Sequence, residues 1–186
     1  MNGRIPTLRV ATLADAPQID ALMKASAASI FPSYYDASQT ASAVRYVAQV
    51  DPALLTDGTY LVVEAADELL ACGGWSRRGR PYMGSAEAMG DDRFLDPATE
   101  AAHVRAMFVR SDWTRRGLGR QILEASEAAA RRMGFGRMDL VATLPGIPLY
   151  RAFGYVPTAE VEDIVLADGV RLPCQAMSKV IGGIER

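Results

Sequence analysis

The sequence predicts one α/β domain over residues 1–186, with a mixed sheet carrying helices on both faces. The main observation is the order of elements. Apolar runs of strand length alternate with segments of helical period, and together they read β, α, α, β, β, β, α, β, α, β, β. The second is scale: 186 residues, 49% hydrophobic and 23% charged, suit one soluble core burying about 70% of the unfolded surface. The third is the lack of any internal repeat or low-complexity tract.

Each element has a local reason. Thr7 to Thr12 alternates Leu8 and Val10 with Arg9 and Ala11, as a short strand does. Asp15-Ala16-Pro17 places an acid and an early proline before Ile19, Leu22, Met23 and Ala27, which recur at helical spacing. A break at Phe31-Pro32-Ser33-Tyr34-Tyr35 precedes a second helix, expected from Ala37 to Val50. Thr59 to Ala66 and Leu69 to Ser76 are apolar runs joined by Asp67-Glu68, a hairpin signal. Arg77 to Thr99 has no period and is rich in Gly, Pro and acids, so it reads as a long loop. His103 to Arg110 is the next strand. Leu118, Ile122, Ala125, Ala129, Ala130 and Met133 then form a helix stripe that Gly134 ends. Met138 to Thr143 is a strand and Ile147 to Phe153 a short helix. Val161 to Leu166 and Val170 to Val180 form a hairpin around Ala167-Asp168-Gly169.

Between strand and helix lies Val109-Arg110-Ser111-Asp112-Trp113-Thr114-Arg115-Arg116-Gly117-Leu118-Gly119-Arg120. Two glycines at spacing two let backbone N–H groups converge where a Cβ would obstruct them. A helix starting there turns unpaired amides and a positive dipole end toward an anion. Arg115, Arg116 and Arg120 add multi-donor cations suited to phosphate. The stretch therefore reads as a pyrophosphate cradle. It is neither a Walker loop, since Lys24 and Lys179 are the only lysines, nor a dinucleotide fingerprint, since Ile122 stands where the third glycine belongs.

The charge balance is uneven. Arg105 to Arg132 holds seven arginines, which suits an anion. Glu87, Asp91, Asp92, Asp96 and Glu100 lie together just before it and suit a cation, unless they form a solvated face. A net charge of −2 gives no reason to expect nucleic acid. One histidine and two distant cysteines make a His/Cys metal site unexpected, and reduced thiols point to the cytoplasm. No signal-peptide core or membrane-length apolar run is seen.

The element order and the glycine loop resemble the GNAT superfamily of N-acetyltransferases. The family motif Arg/Gln-x-x-Gly-x-Gly/Ala registers on Thr114-Arg115-Arg116-Gly117-Leu118-Gly119, with Thr114 departing from it. Leu149-Tyr150-Arg151-Ala152-Phe153-Gly154-Tyr155 is similar to the family's Tyr-x-x-x-Gly-Phe stretch. Thr143 stands where the family often has Asn, seven residues earlier. The resemblance spans roughly residues 6 to 180. It implies an acyl-CoA N-acyltransferase-like fold with a mixed, mostly antiparallel sheet, acetyl-CoA as co-substrate and no metal. It also implies a small-molecule or peptide amine as acceptor, with no nucleic acid or membrane partner; a homodimer is left open.

The resemblance also implies roles. Gly117, Leu118 and Gly119, with Arg115, Arg116 and Arg120, would hold the pyrophosphate. Met107, Phe108 and Val109 would lie along the pantetheine arm, joined to it like an added strand. A backbone N–H of Met107 or Phe108 would serve the oxyanion, and Tyr150 would protonate the departing thiolate. His103 is the candidate base. Period two puts it on the face of Arg105, Met107 and Val109, and Arg105 would favour its neutral form. Glu100, Asp96 and Glu64 compete for that role. Trp75, Tyr82, Tyr34 and Tyr35 are core aromatics or the walls of an acceptor pocket. Two other readings stay open: a non-catalytic acyl-CoA sensor or regulatory module, and an unrelated phosphate-binding protein.

Overall fold

The computed structural model describes residues 5–80, 82 and 92–182. Its strands are β1 (Thr7–Val10), β2 (Tyr60–Ala65), β3 (Glu68–Ser76), β4 (Ala102–Val109), β5 (Arg137–Thr143), β6 (Val156–Pro157), β7 (Glu162–Val165) and β8 (Arg171–Val180). Its α-helices are α1 (Ala16–Ile30), α2 (Ala37–Tyr46), α3 (Pro52–Thr56), α4 (Leu118–Arg132) and α5 (Ile147–Ala152). The sheet runs β1-β2-β3-β4-β5-β8-β6, with β7 also paired to β8. Every pair is antiparallel except β4–β5, as the expected mixed, mostly antiparallel sheet requires.

Apolar faces fix the layers. Ile19, Met23 and Ala27 of α1 are fully buried with Phe31, Tyr60, Val62 and Phe108 on one side of the sheet. On the other, α4 packs Leu123 and Ala130 against Val104 and Met138, and Leu118 and Ile122 against Val63, Leu70 and Ala71. Met133, expected on that stripe, is exposed because the helix has ended and the chain turns at Gly134, whose φ is +93°.

Three boundaries differ from the sequence reading. The second helix stops at Tyr46, not Val50, because the Val50 N–H donates to Asp20 Oδ1 (2.8 Å) instead of continuing the helical ladder. A further short helix, α3, then starts where Asp51 accepts from the Ala53 N–H (3.0 Å) and Pro52 occupies the first turn. β1 ends at Val10, since Thr12 turns toward the Asp15 carboxylate, which Arg9 also grips through two hydrogen bonds. The two-residue β6 was too short to leave a periodic signal.

Candidate active site

The site originates in the one parallel pair. β4 and β5 register only at Ala102↔Met138 and His103↔Asp139, while β5 keeps company with β8 all the way to Thr143↔Cys174. Beyond His103 the two strands part. A cleft of about 600 Å³ opens in the fork, walled by Phe31 and Ser26 of the α1 region, Met107 to Val109, the loop and first turn of α4, and Pro145 to Tyr150. A much smaller cavity of about 80 Å³ adjoins it, lined by Gln49, Tyr82, Arg105, Leu140, Ile164 and Cys174 among others. Four residues line both: Met107, Phe108, Thr143 and Tyr150.

A bulge in β4 orients the backbone here. The ladder with β3 pairs Cys72↔Phe108 and Gly74↔Arg105, so Gly73 alone faces Ala106 and Met107. Ala106 has φ +49°, and its carbonyl accepts from the Tyr60 hydroxyl at 2.6 Å. A Cβ on Gly73, opposite the bulge, would run into the Met107 Sδ, so a larger residue there needs that side chain to move. The Arg110 N–H donates to the Leu70 carbonyl (2.9 Å), which makes Leu70–Arg110 and, two residues on, Cys72–Phe108 the hydrogen-bonded pairs. The N–H and C=O of Val109 therefore point away from β3 into the fork. Its carbonyl accepts there from the Ser26 hydroxyl at 2.7 Å. The Phe108 N–H is committed to the sheet.

The same bulge corrects the expected strand face. His103 and Arg105 share a side, but the extra residue turns Met107 and Val109 to the α4 side with Val104. Arg105 instead meets Asp51.

At the loop, Gly117 is the N-cap of α4 with φ +83°, and no side chain caps the first turn. Gly119 lies where a Cβ would come 3.0 Å from Leu149 Cδ2, so it lets α4 and α5 close on each other. Gly117, Leu118, Gly119, Arg115 and Arg120 all line the large cleft. Arg116, expected among them, does not. Its guanidinium stacks 4.5 Å above the Trp113 ring. Arg120 also reaches back to Glu124 (2.8 Å), and the Thr114 hydroxyl donates to the Ser111 carbonyl (3.0 Å), pinning the loop.

Tyr150 is 8% exposed, and its ring meets Tyr155 edge-on. Burial alone pushes its phenol well above the ordinary tyrosine range, so it stays protonated. His103 lines neither cavity, since it stands where β4 and β5 are still paired. The competing carboxylates are engaged elsewhere. Glu64 pairs with Arg9 (2.8 Å), and Asp96 closes its own turn onto Ala98 and Thr99. Arg93 grips Glu100 through two hydrogen bonds and holds its carboxyl down at about 2.

The Acetyltransferase (GNAT) family model matches residues 23–155, which takes in the fork, the loop and α5. The chain belongs to the GNAT acetyltransferase family. Solved structures share its fold at low identity. One is a GCN5-related N-acetyltransferase from Rhodopseudomonas palustris, 19% identical, with TM-score 0.69 and coverage of 97% of this chain and 98% of that one. Another is the PaiA N-acetyltransferase of Thermoplasma acidophilum in complex with coenzyme A (15%, TM-score 0.64, coverage 95% and 99%). A third is YncA of Salmonella typhimurium, a putative acetyltransferase with its cofactor acetyl-CoA (18%, TM-score 0.63, coverage 98% and 97%). No curated protein matches this chain.

In this acetyltransferase the aromatic residues divide. Trp75 is core, and Tyr35 is a buried pin that accepts from the Leu144 N–H (2.8 Å) and donates to the Pro173 carbonyl (2.9 Å). Tyr34 lines the large cleft and Tyr82 the small cavity. Of the acidic run, Glu87 and Asp91 lie outside the described residues. Asp92 meets Arg78 (3.4 Å), as Asp57 does through two hydrogen bonds. Sequence reasoning missed the part played by Asp51, although Asp51-Pro52 repeats the acid-then-proline helix start recognised at Asp15. Among the described residues no group of three or more His, Cys, Asp or Glu is placed to hold a metal ion, and no helix is long and apolar enough to cross a membrane.

Proposed function

We propose that the protein moves the acetyl group of acetyl-CoA to a primary amine by direct attack, with Tyr150 as the acid that protonates the leaving thiolate. The observation that carries this reading is the shared wall: Tyr150 borders both the large cleft and the small cavity, where donor and acceptor would meet. Neighbouring folds crystallised with coenzyme A or acetyl-CoA support acetyl-CoA as the donor.

The residues divide the work. Backbone amides of the uncapped α4 start, with Arg115 and Arg120, suit a pyrophosphate. The outward-facing N–H of Val109 suits an amide of the pantetheine arm. Met107, at the bulge, supplies the N–H for the oxyanion; Phe108 cannot, because its N–H serves β3. The neutral amine nitrogen bonds to the thioester carbon, the C–S bond breaks, and the sulfur takes the Tyr150 proton. The amine's surplus proton leaves to water, since no described carboxylate lines either cavity. Buried, unpaired Cys72 and Cys174, each thiol pushed up to about 12 by burial, fit a cytoplasmic enzyme.

Two measurements test the reading together. Acetyl-CoA should raise the melting temperature, and free thiol should appear when it is mixed with members of an amine library. Binding without thiol release on any amine would turn the reading toward an acyl-CoA sensor.

A further inference from the structure

The small cavity carries its own chemical information. Arg105 is 3% exposed, yet it is among the residues that line that cavity. A guanidinium presents five N–H donors in a fixed fork. In this structure one nitrogen donates to Asp51 Oδ2 (3.1 Å) and another to the Arg80 carbonyl (2.8 Å). Its other three N–H groups have no partner among the described residues and are open to a ligand in the adjoining cavity. Asp51 Oδ1 also accepts from the Ala53 N–H, and Arg80 stands 3.9 Å from the same Oδ2 that Arg105 uses. Among the described residues no aspartate or glutamate lines the cavity; Gln49, Thr143, Tyr82 and Cys174 are its remaining polar walls. Such a lining rewards an anion with charge-assisted hydrogen bonds.

We infer that the acceptor is a small amine that carries a carboxylate close to its nitrogen, an α-amino acid or a near analogue, and that Arg105 binds that carboxylate. The inference rests on the acetyltransferase reading above and narrows its substrate. Arg105 directly precedes the bulge, so a carboxylate held there leaves the adjoining amine beside Met107 and Tyr150, at the junction with the large cleft. The buried positive charge also lowers the amine's own pKa, which favours the neutral, attacking form. The cavity of about 80 Å³ admits a compact head group and excludes a folded protein surface. A linear diamine has no carboxylate for Arg105 to hold.

The test is a matched series on the wild-type enzyme: an α-amino acid, its carboxamide, its decarboxylated amine and a linear diamine, each with acetyl-CoA. The amino acid should be turned over at least about tenfold better in kcat/KM than its carboxamide, the scale of one charge-assisted hydrogen-bond set. Arg105→Gln should bring that ratio near one by raising the KM for the amino acid, while the KM for acetyl-CoA moves little. Arg105→Lys should restore part of the preference. If the glutamine variant does not fold, the matching α-hydroxy acid decides on the wild type. It should inhibit competitively against the amine, and its amide should not. Equal or better turnover of the carboxamide or the diamine overturns the inference while leaving the acetyltransferase intact. Absence of turnover on every amine overturns the acetyltransferase reading instead.

Discussion

The large cleft and the small cavity meet at the same four residues, yet they are built in opposite ways. The cleft is a backbone device: a strand edge freed by the fork, a helix start with no side-chain cap, and two glycines. Its chemistry is generic, fit for an anion and an extended amide chain. The cavity is a side-chain device, assembled from Gln49, Tyr82, Arg105, Thr143 and Cys174, which lie on separate elements. One side of the fork is shaped for a common donor and the other for a particular acceptor. Substitutions that divide the two sides are the sharpest probes of this contrast.

The largest effect belongs to the residue common to both. Tyr150→Phe keeps the packing against Tyr155 and removes only the proton donor. We expect kcat to fall by about 100-fold or more, with the KM for acetyl-CoA and the melting temperature near those of the parent. An unchanged kcat would remove Tyr150 from the chemistry. The pH profile gives a second reading. Burial disfavours the tyrosinate and so raises this pKa, which keeps the hydroxyl protonated above the usual value of about 10. Activity should therefore rise as the acceptor ammonium loses its proton, and show no descending limb near pH 10. By the same sign, the contribution of this group to stability is intact at neutral pH and lost only as pH climbs past about 10.

Tyr35→Phe should act mainly on the acceptor side. Its hydroxyl ties Leu144, just after the shared Thr143, to Pro173, just before the cavity-lining Cys174. Removing it strands a backbone donor and a backbone acceptor, at a cost of about 1–3 kcal/mol measured by denaturant unfolding. The KM for the amine should rise more than the KM for acetyl-CoA. A reversal of that order would mean that the two sides are not separately built.

The same contrast explains what could be read from the chain. The donor side was legible because its parts are contiguous: Val109 to Arg120 spells strand end, turn and helix start in one run, and Tyr150 follows at the family spacing. The fold was legible for a related reason, since strands and helices declare themselves by local period. The acceptor side was not. Arg105 and Asp51 are 54 positions apart and meet only because the fold brings the N-cap of α3 to β4. The bulge at Ala106 leaves no mark in an apolar run, and by inserting one residue it moved Met107 and Val109 to the face opposite His103. Arg116 looked equivalent to Arg115 in sequence. A tryptophan three residues before it decided otherwise.

Gly117 offers a smaller effect confined to the donor side. A Cβ there meets nothing within 4 Å, so space is no obstacle, but φ is +83°. Gly117→Ala should cost about 1–2 kcal/mol of stability from the left-handed backbone alone. If the α4 start relaxes to relieve it, the KM for acetyl-CoA rises while the amine KM stays put. An alanine variant with normal stability would show that the loop does not depend on this conformation.

The smallest effect is the most discriminating for the arginines. Arg115 lines the cleft and Arg116 stacks on Trp113, although they are neighbours in the chain and carry the same charge. If the cleft recognises its anion only by net positive potential, Arg115→Ala and Arg116→Ala should weaken acetyl-CoA equally, and both losses should fade with salt. If geometry decides, Arg115→Ala raises the KM for acetyl-CoA several-fold. Arg116→Ala then mainly loses a surface cation–π contact of about 0.5–1 kcal/mol, seen as a slightly lower melting temperature. We expect the second outcome, because Arg115 lines the cleft directly, whereas the Arg116 guanidinium is engaged over the Trp113 ring at 4.5 Å.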